Sequence, residues 1–279
     1  MTDKINIAFS PCPNDTFMMA GLVSGKVGVE GFTFIPHLAD IEELNNLAQE
    51  GQMDVLKMSV NAYPMASINY QMLRVGAALG TNNGPVVVCK PGDEGKIADT
   101  QARIAVPGMH TTANLLMTIF YPELTDKTGV LFSEIEKNVL NGNFDIGVLI
   151  HENRLTYAEK GLVKIADLGV LWKEHNDCAL PLGCFAVKRR LQLDYKRAIE
   201  EAIRKSIIYG YEHLDEVMPY IRQHAQNMSD DVILEHIRTY VNHFSVNLGN
   251  EGTSAIRAIF RRAKHASMYN LLTEPIFID

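Results

Sequence analysis

The 279-residue chain is 47% hydrophobic and 21% charged, which predicts a globular protein of about two domains and argues against disorder. Its 33 acidic residues outnumber its 26 basic ones, and the resulting net charge of −7 disfavours nucleic acid as a partner. No apolar run approaches the ~18 residues of a membrane span, so we expect no contact with a membrane.

The cysteines are too scattered to predict a metal or redox motif. Cys12, Cys89, Cys178 and Cys184 contain no CxxC pair, so neither a zinc ribbon nor a dithiol centre is expected. The first ten residues lack the apolar core of a signal peptide. We therefore expect a cytoplasmic protein with reduced thiols.

The first 90 residues alternate between strand and helix patterns. Apolar runs with β-branched residues predict strands at 5–9, 31–39, 53–59, 72–80 and 84–90. Three-to-four spacing and stop signals predict helices at 16–25, 43–51 and 63–68. Between the first strand and the first helix lies a stiff corner, SPCPNDTF, in which we expect Asn14 or Asp15 to cap the helix.

The same alternation restarts after residue 100 and gives way to helices after residue 193. Further strands are predicted at 103–108, 144–152, 162–169 and 183–189. Further helices are predicted at 110–120, from the 133–136 capping box to about 140, and at 194–213, 215–225, 229–241 and 252–265.

This order predicts an α/β protein with mostly parallel sheets, flanking helices and a helical C-terminal region. We expect two lobes, a larger one from residues 1–88 plus 187–279 and a smaller one from residues 89–186. Ligands of open α/β sheets bind beyond the carboxyl ends of the strands. A binding cleft is therefore expected between the lobes.

Several polar corners would meet in such a cleft. The candidate residues are Asp15, the segment Lys57, Met58 and Ser59, the segment Thr111, Thr112 and Ala113, and His151. Helix N-termini present unpaired N–H groups that bind carboxylate or phosphate. At any single corner helix capping is the better explanation. Several corners around one cleft favour ligand binding.

His151 differs from the other histidines because it directly follows the apolar run at 147–150. Histidine ordinarily titrates near neutrality, which suits a general base. Its position supports a packed core histidine equally well. For the histidines of the helical tail, including His236, a surface or packing role is the better expectation.

Other catalytic motifs do not fit. His151-Glu152 lacks the second histidine of HExxH, since position 155 is Leu. No GxSxG, Walker or post-strand GxGxxG pattern occurs in the sequence. We expect neither an organic cofactor nor a metal.

Four segments together resemble one enzyme family. They are SPCPNDTF at 10–17, KMS at 57–59, GMHTTA at 108–113 and LIHENRLTY at 149–157. The chain is similar along its whole length to the 1,4-dihydroxy-6-naphthoate synthases, including DLGVLW, LPLG and TYVNHFS at 167–172, 180–183 and 239–245.

The resemblance implies a two-lobed fold like that of type II periplasmic binding proteins, and an enzyme of the futalosine route to menaquinone. The implied reaction cleaves cyclic dehypoxanthinylfutalosine, a small carboxylate, to 1,4-dihydroxy-6-naphthoate and dihydroxyacetone. His151 would be the proton acceptor. The segments 57–59 and 111–113 would hold the substrate, with Asp15 lining the cleft.

Two alternatives share the expected fold. A chorismate dehydratase would act on chorismate instead. A solute-binding protein would bind a small carboxylate without converting it.

Overall fold

The computed structural model describes residues 3–151, 153–225, 228–266 and 272–278. In these ranges the strands are β1 (Asp3–Phe9), β2 (Phe32–Leu38), β3 (Val55–Ser59), β4 (Tyr70–Met72), β5 (Ala78–Gly80), β6 (Val86–Cys89), β7 (Ile104–Val106), β8 (Lys127–Gly129), β9 (Ile146–Leu149), β10 (Val163–Asp167) and β11 (Leu180–Lys188). The helices are α1 (Pro13–Val23), α2 (Ile41–Glu50), α3 (Tyr63–Ala66), α4 (Thr112–Phe120), α5 (Ile135–Leu140), α6 (Asn153–Thr156), α7 (Leu168–His175), α8 (Leu193–Glu212), α9 (Leu214–His224), α10 (Asp230–Tyr240), α11 (His243–Val246) and α12 (Gly249–His265). The predicted α/β class and helical C-terminal region are confirmed.

The larger sheet has the strand order β2–β1–β3–β11–β4, and β5 also pairs with β11. β1 runs parallel to β2 and β3. β11 runs antiparallel to β3, β4 and β5. The strand predicted at 183–189 is thus part of β11, which joins the sheet formed by the first strands of the chain.

The smaller sheet has the order β10–β6–β9–β7–β8. β7 is parallel to β8 and β9, whereas β6 is antiparallel to β9 and β10. The prediction of mostly parallel sheets is therefore wrong, and both sheets are mixed. Strand–helix alternation predicts parallel neighbours, but it does not fix the direction of a strand such as β11, which enters after a long excursion.

The two predicted lobe boundaries both fall inside strands. Residue 88 lies in β6, which belongs to the smaller sheet, and residue 187 lies in β11, which belongs to the larger one. The division into lobes stays a prediction. If each lobe contains one sheet, the chain would pass between the lobes at 81–85 and at 176–179.

Two local predictions need correction. The strand predicted at 72–80 is interrupted at Gly76, whose φ of 73° lies in the left-handed region, and β4 and β5 flank the break. The sequence after β10 forms helix α7, which the pattern missed. Asp167 starts this helix, because its carboxylate accepts hydrogen bonds from the N–H groups of Gly169 and Val170.

Helix α1 anchors the corner that precedes it. Its residues from Pro13 to Leu22 are all buried, and it packs against α8 and α9. The N–H of Leu22 donates to the hydroxyl of Ser206 at 3.0 Å. A helix held on all sides fixes its own N-terminus, and with it the position of residues 10–15. No helix in the described ranges is both long and apolar enough to cross a bilayer.

Candidate active site

A cavity lies beyond the ends of β1, β3 and β9, and both sheets contribute to its wall. The lining residues are Ser10, Asn14, Asp15, Ile41, Lys57, Ser59, Ala78, Pro85, Thr111, Thr112, Ala113, Ile150, His151, Leu182, Gly183, His236 and Tyr240. All the candidate residues from the sequence lie in this wall except Met58.

Met58 points away from the cavity. Alternate residues of a strand face opposite sides of the sheet, so Met58 faces away from the side that Lys57 and Ser59 present. It is fully buried in the hydrophobic core. Its side chain is therefore not part of the candidate site.

Asp15 and Lys57 form a buried ion pair in the cavity wall. Lys57 Nζ lies 3.0 Å from Asp15 Oδ1, and the two residues are 3% and 2% exposed, respectively. Asp15 also accepts hydrogen bonds from the Ser10 hydroxyl at 2.7 Å and from Asn14 Nδ2 at 2.8 Å. Lys57 Nζ donates to the Gly76 carbonyl at 3.0 Å. This pair is well partnered inside the protein, which fits a structural and electrostatic role.

The prediction that Asn14 or Asp15 caps α1 is wrong. The N-cap is Cys12, which makes no side-chain capping bond, and Pro13 is the first helical residue. The Cys12 carbonyl accepts the Thr16 N–H at 3.0 Å. Pro fits the first helical position because its missing N–H would have no helical partner there.

Ser59 is held at the end of β3 by a second side chain. Its N–H donates to Asn45 Oδ1 at 2.8 Å, and Asn45 Nδ2 donates to the Ser59 hydroxyl oxygen at 3.2 Å. The Asn45 amide thus occupies one acceptor position of the Ser59 hydroxyl, and the hydroxyl proton stays available for another hydrogen bond. Ser59 is placed to donate to a ligand in the cavity.

The hydroxyls of Thr111 and Thr112 bind within the protein. Thr111 is the N-cap of α4; its hydroxyl donates to the Gly108 carbonyl at 2.7 Å and accepts from the Asn114 N–H at 3.3 Å. Thr112 donates to the Leu182 carbonyl at 2.7 Å. The N–H groups of Thr112 and Ala113 lie in the first turn of α4, where backbone donors have no partner within the helix. Any anion site here would therefore depend on the backbone.

His151 lies just beyond β9 in a strained backbone conformation. The strand predicted at 144–152 is shorter in the structure and ends at Leu149, and His151 adopts a left-handed φ of 54°. The remainder of the predicted strand, Glu152, lies outside the described residues. A non-glycine residue in this region is uncommon and occurs preferentially at functional sites. His151 is one of the residues that line the cavity.

The two ring nitrogens of His151 differ in their surroundings. Nδ1 lies 3.3 Å from Cys12 Sγ, and Phe132 packs edge-on with ring centroids 5.0 Å apart. Nε2 is buried and has no hydrogen-bond partner among the described residues. If Nδ1 carries the proton and donates to Cys12, Nε2 is left with a lone pair to accept a proton.

Sequence reasoning missed His236 and Tyr240, which line the cavity from α10. Burial raises the pKa of Tyr240 to about 12 and lowers that of His236 to about 3, so both are uncharged at neutral pH. A surface or packing role was expected for His236; the residue is fully buried, and it also lines the cavity, which was not expected. Its spacing from Ile233 and Tyr240, three before and four after, was the available signal, because it places all three on one helix face.

No group of three or more His, Cys, Asp or Glu residues in the described part of the chain is arranged to hold a metal ion. The polar groups of the cavity instead suit an organic ligand that carries oxygen atoms.

A family model and two relatives of known name point to the same protein family. A model of a family described as menaquinone biosynthesis matches residues 5–265. A 1,4-dihydroxy-6-naphthoate synthase of Thermus thermophilus is 39% identical over 277 residues, covering 99% of this chain and 100% of the relative. One from Streptomyces coelicolor is 36% identical over 269 residues, covering 94% and 93%.

Solved structures agree on the fold. A protein of Archaeoglobus fulgidus superposes with a TM-score of 0.88 at 31% identity, covering 95% of this chain and 98% of that one. The ligand-binding component of a Staphylococcus aureus ABC-type import system gives 0.74 at 12% identity, covering 100% and 97%. This second likeness confirms the periplasmic-binding-protein-like fold alone. The family match and the near-complete coverage of both synthases establish that the chain is an enzyme of the menaquinone biosynthesis family.

Proposed function

We propose that the chain is a 1,4-dihydroxy-6-naphthoate synthase, a lyase that splits cyclic dehypoxanthinylfutalosine into 1,4-dihydroxy-6-naphthoate and dihydroxyacetone. The observation that carries the proposal is that Nε2 of His151 has no hydrogen-bond partner among the described residues, in a cavity wall that Ser59 and the start of α4 also form. The two similar synthases support the choice of substrate. A cytoplasmic location accompanies the proposal as a prediction.

The substrate carboxylate fits the side of the cavity near α4. The N-terminus of a helix carries a partial positive charge and presents N–H donors to an anion. The amides of Thr112 and Ala113 and the hydroxyl of Ser59 would bind the carboxylate oxygens. Because Asp15 neutralises Lys57 at 3.0 Å, this binding would depend on oriented donors more than on net charge.

His151 would start the reaction at Nε2. It removes a proton from a substrate hydroxyl, and the alkoxide collapses to a carbonyl as the adjacent carbon–carbon bond breaks. The electron pair passes into the ring system, which becomes aromatic once a proton returns. The two products together contain all the atoms of the substrate, so no oxidant or reductant is needed. A positioned base typically contributes ~10²–10⁴-fold to such a step.

Cys12 would set the tautomer of this base. For Nε2 to accept a proton, Nδ1 must carry the ring hydrogen. Its N–H would then donate a hydrogen bond to Cys12 Sγ, 3.3 Å away. Apolar neighbours in the wall, such as Ile41, Ile150 and Leu182, would exclude water around the bound substrate.

The direct test is incubation of the purified protein with cyclic dehypoxanthinylfutalosine, with both products measured by chromatography and mass spectrometry. We expect 1,4-dihydroxy-6-naphthoate and dihydroxyacetone in equal amounts, and no conversion in a protein-free sample. Dehydration of chorismate by the same preparation, without cleavage of the cyclic substrate, would replace the proposal by a chorismate dehydratase. Tight binding without any product would indicate a solute-binding protein.

A further inference from the structure

His236 occupies an unusual place for a histidine of an amphipathic helix. It lies on α10, is 0% exposed and lines the same cavity as the predicted substrate-binding corners. Its ring stands nearly perpendicular to that of His151, with centroids 6.2 Å apart, and to that of Tyr240, with centroids 4.7 Å apart. The imidazole is thus next to the proposed base without belonging to the residues assigned above.

Neither ring nitrogen of His236 has a hydrogen-bond partner within the described part of the protein. Buried polar side chains are almost always paired, because an unpaired donor or acceptor loses its hydration without compensation. Two unpaired nitrogens on one buried ring therefore need partners from the cavity.

The surroundings of His236 favour the uncharged ring. Complete burial opposes protonation, and the nearby His151 and Arg154 oppose it further, so the pKa of His236 is lowered to about 3. Arg154 is itself paired with Asp167 at 3.2 Å. A neutral imidazole offers one donor and one acceptor, which match a hydroxyl or carbonyl group better than a carboxylate.

We propose that His236 is a substrate-contacting residue whose neutral imidazole hydrogen-bonds an uncharged oxygen of the ligand, in the part of the cavity next to His151. This inference rests on the proposed function, since it takes the substrate and product from there. It deepens that function by assigning the second polar wall of the site. The hydroxyl-bearing part of the substrate would lie between His236 and His151.

The first test compares three variants in turnover of the cyclic substrate and in calorimetric binding of 1,4-dihydroxy-6-naphthoate. His236→Leu has a similar volume but no hydrogen-bonding group, whereas His236→Gln keeps a donor and an acceptor. We expect His236→Leu to lower kcat/KM by roughly 10-fold or more, and His236→Gln to recover part of the loss. His224→Leu, the same substitution in α9 and outside the cavity wall, should leave kcat/KM unchanged.

Thermal unfolding of the ligand-free variants separates a ligand contact from a structural role. His236→Leu removes two buried polar atoms that have no partner among the described residues, so its Tm should equal or exceed that of the wild type. A merely structural histidine would give a lower Tm with unchanged kinetics in the folded fraction, and that result would overturn the inference.

A measurement on the unmodified protein guards against variants that fail to fold. In ¹⁵N-histidine-labelled protein, the ring nitrogens of His236 should report a neutral ring from pH 8 to pH 5, and should shift when the naphthoate product is added. Unchanged His236 signals in a protein that binds the product would overturn the inference alone. A wild-type protein that neither binds the product nor converts the substrate would overturn the proposed function, and this inference with it.

Discussion

Asp15 and His151 line the same cavity but differ in how many hydrogen-bond partners the protein gives them. Asp15 accepts from Ser10, Asn14 and Lys57, and these contacts use most of its capacity. His151 keeps a buried Nε2 without a partner among the described residues. A group whose bonding capacity is already used stabilises the wall, whereas a group with spare capacity can act on a ligand. We therefore assign the chemistry to His151 and the support to Asp15.

Cys12 provides a test of how His151 is oriented. Removal of its sulfur in Cys12→Ala takes away the atom 3.3 Å from Nδ1, so the ring loses the contact that favours the reactive tautomer. We expect kcat to fall about 10-fold with little change in KM, as for loss of one orienting hydrogen bond. Steady-state kinetics across pH 6–9 give both parameters.

Cys12→Ser is the matched control, because a hydroxyl can still accept a hydrogen bond from Nδ1. It should recover most of the kcat that Cys12→Ala loses. If both variants retain wild-type kcat and the same pH profile, the contact between Cys12 and His151 has no role in catalysis.

The sequence predicts which residues line the cavity better than it predicts the hydrogen bonds that each side chain makes there. Residues at strand ends were expected to meet, and Asp15, Ser59, Thr111 and His151 do line one cavity. The hydrogen bonds could not be predicted, because partners such as Asn45 for Ser59 become neighbours only in the fold. The capping expectation for Asp15 failed because the helix begins at Pro13, which places Asp15 within the first turn, where its carboxylate pairs with Lys57.

At the scale of the elements, Gly76 shows how a single residue divides a predicted strand. It has a φ of 73°, and its N–H donates to the Ser245 carbonyl at 2.7 Å. A Cβ at this position would lie 2.5 Å from Phe185 Cδ2. The Gly76 carbonyl also accepts from Lys57 Nζ, so the break between β4 and β5 supports the ion pair in the cavity wall.

Gly76→Ala should therefore destabilise the protein. The left-handed φ disfavours a side chain, and the added methyl group would overlap with the buried Phe185 ring. We expect the free energy of unfolding to fall by about 2–4 kcal/mol. Urea denaturation followed by circular dichroism measures this change.

Gly28→Ala is the control, because an added Cβ there meets no atom within 4 Å. Its unfolding free energy should stay within about 0.5 kcal/mol of the wild type. Equal stability of the two alanine variants would show that the Gly76 turn relaxes without cost.

Helices and strands differ in how well the sequence predicts them. The long helices α8, α9, α10 and α12 follow from apolar residues at three-to-four spacing. Helix α7 was missed because it follows β10 without a break, and its start depends on capping by Asp167. The break at Gly76 was missed because apolar residues continue on both sides of it.

At the scale of the whole molecule, a fold shared with solute-binding proteins contains the cavity that we propose to be catalytic. The ends of β1 and β3 in the larger sheet contribute to the cavity wall. The start of α4, which follows β7 of the smaller sheet, and His151, which lies just beyond β9, contribute the rest of these corners. The sequence predicts this convergence, because strand ends in α/β sheets form ligand sites. It could not predict strand direction, since β6 and β11 pair with strands far away in the chain, and such pairs can have either orientation.

The His151→Asn variant tests whether His151 is the base of a lyase. Asparagine tolerates the left-handed φ of 54°, so the fold should persist, while its amide cannot take up a proton at neutral pH. We expect product binding within about 3-fold of the wild type and a kcat at least ~10²-fold lower with the cyclic substrate. A kcat within about 10-fold of the wild type, with binding intact, would contradict the assignment of His151 as the base.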